Sequence, residues 1–259
     1  MADSFYVDDG GRFVSTELTR GPWDPLAQHG GPPSALLCRA IEQTSERDDL
    51  QLVRITVELL RPVPLAPLEV STRMVRAGRN VESLEGAISV DGTELLRARA
   101  VRIRTTDLPL PQPDAGPPPL QGPDEGRGLD FFPTDQEVGY HTGMEHRFLE
   151  GGFTELGPAK VWMRMRVPLV LGERPSPWQR VLIAADSGNG VSGAVDFRHY
   201  LFINPDLTVH LHRQPLGQWV HLDACTVIEP SGVGLATSTI ADEHGPLGYG
   251  LQSLFIAQR

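Results

Sequence analysis

The chain has 259 residues, a formal net charge of −10 at pH 7 and two cysteines, Cys38 and Cys225. That length can bury a core without staples, two cysteines give no disulfide framework and fit a reducing compartment, and the acidic balance argues against nucleic-acid partners, whose phosphates are repelled at long range. The opening MADSFYVDDGG has acids where a secretory leader needs bases, and no run approaches the roughly 18 apolar residues of a membrane span, so the expectation is a cytoplasmic protein with no membrane span.

The first predicted element is a helix over 29–46, HGGPPSALLCRAIEQTSE. Leu36, Leu37, Ala40 and Ile41 keep helical spacing, and Pro32 and Pro33 suit a first turn. VRITVELLR follows at 53–61. Strands are then predicted over 68–76, 81–90 and 93–104, where β-branched and alternating residues surround an Asp91-Gly92 turn. Residues 108–128, LPLPQPDAGPPPLQGPDEGRG, are dense in Pro and Gly and lack apolar periodicity, which reads as an extended, polyproline-like connection. A second helix is predicted over 176–188. Ser176 caps it, Pro177 takes the first turn, Gln179 reaches back in a capping box, and Gly188 ends it. Strand signals close the chain: DLTVHLHR, WVHLDACTVI, GLATSTIA and YGLQSLFIA.

The second half rewrites the first. Thr56, Val57, Leu59 and Arg61 recur as Thr208, Val209, Leu211 and Arg213, 152 positions later, and Gly92 pairs with Gly245 one residue further on. Each copy is a helix followed by an antiparallel sheet, an α+β layout and not the interleaved order of a dinucleotide fold. Positions that differ between copies point to a single site. Asp206 stands opposite Arg54, Thr226 opposite Met74 and Gln252 opposite Arg99. A carboxylate can take a proton from water, while a hydroxyl and an amide can hold that water, a set able to hydrolyse an ester or thioester without a covalent intermediate or a metal. The same three residues also read as plain strand positions, with Asp206 opening its strand after Asn204-Pro205.

HGGPPSALLCRAIE, LLRPVP and GRNVESLEGAISVDGTELLRARA in the first half, with IAADSG, DLTVHLHRQPLGQW and GPLGYGLQSLF in the second, give the chain its likeness to a known family. In order and duplication they resemble the type II acyl-CoA thioesterases, which have a double hotdog fold. The resemblance implies an N-terminal hotdog over 1–107, a Pro/Gly-rich linker over 108–133 and a C-terminal hotdog over 134–259, each half an antiparallel sheet wrapped around its helix. It implies an acyl-CoA substrate, no cofactor and no metal, a catalytic set of Asp206, Thr226 and Gln252, and a possible homo-oligomer, a dimer of double hotdogs. Gly30 and Gly31 open the first helix, where amides can steady an oxyanion or simply make the turn; His29 contacts ligand or fills that turn. Asp186 matches a helix Asp of relatives and also suits a capping role. Leu207 departs from the His that relatives often carry after the Asp, which leaves a non-catalytic acyl-CoA-binding or scaffold protein as the alternative.

Other motifs carry less. GNGVSG, 188–193, fits a dinucleotide loop by its glycines but follows a helix and precedes a segment too short for a binding helix. His210 and His212 alternate on one strand without further ligands. No G-x-S-x-G is present. Cys38 sits among the apolar residues of the first helix.

Overall fold

The computed structural model describes residues 2–110 and 120–259. Two short strands, β1 (Tyr6–Asp9) and β2 (Arg12–Ser15), precede helix α1 (Gly31–Glu42). Then β3 (Leu50–Leu59), β4 (Pro67–Ala77), β5 (Val81–Val90) and β6 (Thr93–Arg104) complete the first half. The second half has a short α2 (Tyr140–Gly143), β7 (Met144–Gly152), β8 (Glu155–Met165), α3 (Pro177–Ala185), a one-turn α4 (Gly188–Val191), β9 (Tyr200–Ile203), β10 (Asp206–Leu211), β11 (Val220–Ile228), β12 (Val233–Asp242) and β13 (Gly245–Gln258). Among the described residues no helix is long and apolar enough to cross a membrane.

These strands form one sheet in the order β1-β2-β4-β5-β6-β3-β10-β13-β12-β11-β8-β7, with β9 beside β13. The order within each half mirrors the other, and the repeated strands meet at the seam. β3 and β10 pair antiparallel with Thr56 opposite Thr208, whose hydroxyls are 3.2 Å apart. The recurring sequence is therefore its own partner across a pseudo-twofold axis. Alternation fixes the faces: Leu207, Val209 and Leu211 point into the core, so Asp206, Thr208 and His210 point outward. This is a double hotdog, as the family resemblance implies, with the α+β layout that the element order predicts.

Each helix lies against its own half of the sheet, and the two helices lie against each other. The start of α1 meets the end of α3. A Cβ at Gly31 would sit 2.6 Å from the Ile183 carbonyl oxygen, so the approach requires glycine. At the opposite ends, Ser176 Oγ and Gln179 Nε2 donate to Glu42 Oε2 at 2.7 and 3.2 Å, and burial pushes the Glu42 carboxyl above its ordinary range. Half of the expected capping box forms: Ser176 Oγ accepts from the Gln179 N–H at 3.2 Å, while the Gln179 side chain turns to Glu42.

Two expectations need correction. α1 stops at Glu42, short of 46, and α3 stops at Ala185, short of Gly188. Gly188 opens α4 because a Cβ there would lie 2.7 Å from Ser238 Oγ and 2.9 Å from Gln252 Oε1, so the residue serves close packing on the sheet. The linker expected over 108–133 lies partly outside the described residues, at 111–119. Its later part packs on the second half: Arg127 bridges Phe148, Gln121 accepts from Trp162 Nε1 at 2.8 Å, and Phe132 is buried.

Candidate active site

A cavity of about 430 Å³ lies where the two helices meet. Its walls come from His29 and Gly30 at the start of α1, Leu59 and Arg61 at the end of β3, Asp186 and Asn189 at the turn from α3 to α4, and Asn204 between β9 and β10. Aromatic rings make up much of the remainder, including Trp23, Phe131, Phe132, Phe153 and Phe202.

Asp186 is the buried charge of this cavity, with only 3% exposure. Its Oδ2 lies 3.0 Å from His29 Nδ1, and its Oδ1 accepts from Asn204 Nδ2 at 2.9 Å. The Gly31 N–H also points at His29 Nδ1 from 3.1 Å, a donor geometry that calls for an unprotonated Nδ1. One ring nitrogen cannot both donate and accept, and donation to a carboxylate is the charge-assisted choice, which leaves Nε2 as the acceptor. His29 Nε2 makes no hydrogen bond among the described residues, and the ring lines the cavity. The imidazole is held flat: it stacks on Tyr140 with centroids 3.8 Å apart and planes 6° apart, while the His29 backbone N–H donates to the Thr19 carbonyl at 2.7 Å. Burial pushes the Tyr140 phenol far above its usual range, and its hydroxyl stays a donor to the Ile183 carbonyl at 2.7 Å.

Gly30 is dictated by this neighbour. A Cβ there would meet Asp186 Oδ2 and Leu59 Cδ2, each at 2.8 Å. Pro32 and Pro33 occupy the next turn and carry no N–H, and the Gly31 N–H is directed at His29 Nδ1, so Gly30 supplies the amide at the start of α1 that has no partner among the described residues.

The three residues singled out on the second-half strands are not gathered around one void. Asp206 points to the outer face, where Oδ1 accepts from the Ser253 N–H at 2.7 Å, and it does not line the cavity. The cause is strand alternation, which turns Leu207 inward, fully buried, and so turns its neighbour out. Thr226 faces inward but under α4, with its hydroxyl 2.8 Å from Ser192 Oγ. Gln252 is buried against the turn that bears Asp186. Its Nε2 donates to the Asp186 carbonyl at 3.0 Å and its Oε1 accepts from the Asn189 N–H at 3.0 Å. His29 and Gly30 line the cavity, and Gly31 lies just behind them. Asn204 and Tyr140 were not anticipated. The Asn204-Pro205 step was visible in sequence only as a strand start. GNGVSG is a buried helical turn, with Asn189 Nδ2 donating to the Phe202 carbonyl at 3.1 Å. Among the described residues no group of three His, Cys, Asp or Glu side chains is arranged to hold a metal.

Residues 19–103 match the acyl-CoA thioesterase N-terminal domain, and residues 117–256 match the acyl-CoA thioesterase C-terminal domain. The chain belongs to the acyl-CoA thioesterase family. Among solved structures it is similar to a putative thioesterase from Novosphingobium aromaticivorans, with TM-score 0.74 and 21% identity over 97% of this chain and 98% of that one. A hot dog fold protein of unknown function from Alicyclobacillus acidocaldarius gives TM-score 0.73 and 16% identity over 98% and 95%. The tesB protein of Mycobacterium avium subs paratuberculosis gives 0.66 and 18% over 97% and 96%. At such identities the likeness establishes the fold. No curated protein matches the chain.

Proposed function

We propose that this protein hydrolyses acyl-CoA thioesters in the cavity, with Asp186 and His29 activating water. The observation that carries the reading is the buried Asp186 carboxylate, fixed between His29 Nδ1 at 3.0 Å and Asn204 Nδ2 at 2.9 Å inside an apolar chamber. Asp186 sets the tautomer and holds the ring, as a carboxylate does for a catalytic imidazole. His29 Nε2 takes a proton from water, and the resulting hydroxide oxygen bonds to the thioester carbonyl carbon. The carbonyl oxygen becomes an oxyanion, for which the Gly30 N–H at the positive end of α1 is the donor on offer. The carbonyl then re-forms, the C–S bond breaks, and the proton on Nε2 passes to the departing thiolate, giving free acid and coenzyme A. Asn204 keeps the second carboxylate oxygen occupied, and Gln252 is a positioning residue that ties the Asp186 turn to β13. Asp206 and Thr226 take no part in this scheme.

The test is release of free coenzyme A from a panel of acyl-CoA thioesters by wild type and His29→Gln. Wild type turns over, and His29→Gln lowers kcat by about 100-fold or more, the usual worth of a general base, with KM little changed. A wild type inert on every thioester, or a fully active His29→Gln, contradicts the reading; tight binding without turnover would point to a binding protein instead.

A further inference from the structure

Two cavities share one wall. Phe132, Phe153 and Phe202 back the cavity that holds Asp186, and the same three rings line a second cavity of about 280 Å³, which is also lined by Leu156, Val195 and Phe197. The rings come from three separate places: the connection before β7, the turn between β7 and β8, and β9. They interlock without hydrogen bonds. Phe132 and Phe153 have centroids 5.4 Å apart, Phe132 and Phe202 6.3 Å, and Phe132 stacks on Phe197 at 4.4 Å. Phe131 meets Phe153 edge-on at 4.7 Å.

We infer that this ring wall sets the length of the acyl group, an inference that rests on reading the first cavity as the acyl site. That cavity, about 430 Å³, falls at the lower end of the roughly 300–1,000 Å³ common for small-molecule sites, and the thioester itself occupies part of it. The remaining room suits a compact acyl group, and the tilted and edge-on rings around it favour an aryl one. A long straight chain would have to pass between Phe132, Phe153 and Phe202. The space beyond them suits hydrocarbon: Leu156, Val195 and Phe197 are apolar, and the charges on its lining, Asp196 and Arg198, are paired with each other at 2.8 Å. Removing one ring joins the two spaces into a single acyl tunnel.

The experiment measures kcat/KM for straight-chain acyl-CoAs from acetyl to palmitoyl, with phenylacetyl-CoA and benzoyl-CoA, using wild type, Phe132→Ala, Phe132→Leu and Phe132→Ala/Val195→Trp. Wild type prefers short and aryl groups. Phe132→Ala raises the palmitoyl-to-butyryl ratio at least tenfold, Phe132→Leu raises it less in the same direction and preserves more of the core if the alanine variant does not fold, and Val195→Trp, by refilling the second cavity, reverses the gain. A ratio that stays put in folded variants, or a wild type that already favours palmitoyl, overturns the inference. Dissociation constants for non-hydrolysable thioether analogues of the same lengths shift by the same ratio even if no thioester is cleaved, so failure of the hydrolase reading and failure of the ring wall are told apart.

Discussion

Arg61 and Arg213 close the two copies of the repeated strand, yet their surroundings differ. Arg213 forks onto Asp242 at 2.7 and 2.6 Å and also donates to the Gly245 and Pro246 carbonyls. Asp242 ends β12 as Val90 ends β5, so the first copy has no carboxylate in that place. Arg61 is exposed, lines the cavity and forms no ion pair among the described residues. A guanidinium left free at a site for a polyanionic substrate is suited to phosphate, which it can grip with two N–H groups. Arg61→Gln is expected to raise KM for acyl-CoA by about five- to tenfold, the modest size fitting a solvent-exposed charge. It should leave KM for an acyl-pantetheine thioester, which lacks the nucleotide phosphates, almost unchanged. Equal effects on both substrates would exclude the phosphate contact. The pair was legible as a repeat, but the missing acid was not, because Asp242 lies on a different strand from the arginine it holds.

Strands β7 and β11 each bury a histidine whose Nε2 has no hydrogen-bond partner, His146 and His221. Burial pushes His146 down to about 3 and His221 down to about 4. Both are neutral in the folded protein at neutral pH, whereas in the unfolded chain they titrate near the ordinary value of about 6.5. Below that value the unfolded chain binds protons that the folded one refuses, so stability falls as pH drops from about 6.5 towards 4, by about 1.4 kcal/mol per pH unit for each group. Urea unfolding at pH 5 against pH 7.5 should show about 2 kcal/mol lost for each histidine, less for the shallower His221, and His146→Phe should narrow the gap; an unchanged gap would show that His146 is not the titrating group. β7, with its neighbour β8, also marks the limit of sequence patterning. β4, β5, β6 and β10 to β13 were readable because apolar residues alternate between turn glycines. β7 and β8 were not, because Glu145 and His146 are buried beside Met144, and Val161, Trp162 and Met163 are buried in succession. That pattern comes from packing on both faces and leaves no period of two.

The duplication made the double hotdog legible, and the pairing of Thr56 with Thr208 shows why the strand is written twice: it is one seam built from two related edges. The proposed reaction centre was harder to see for the same reason. Comparing matched strands picks out differences within the sheet, whereas the cavity forms where His29 of the first half meets Asp186 of the second, both at helix ends. Gln252 reaches that turn from β13, whereas Asp206 points outward, a direction legible from the apolar Leu207, Val209 and Leu211 beside it. Asp186 and Asp206 are therefore rival candidates for the carboxylate that serves the water in the proposed reaction. The most direct measurement compares kcat/KM on one short acyl-CoA for Asp186→Asn and Asp206→Asn, two changes that keep size and remove charge. Asp186→Asn should lose about 100-fold or more, and Asp206→Asn, still able to accept from the Ser253 N–H, should stay within about threefold of wild type. An active Asp186→Asn beside an inactive Asp206→Asn would contradict the account.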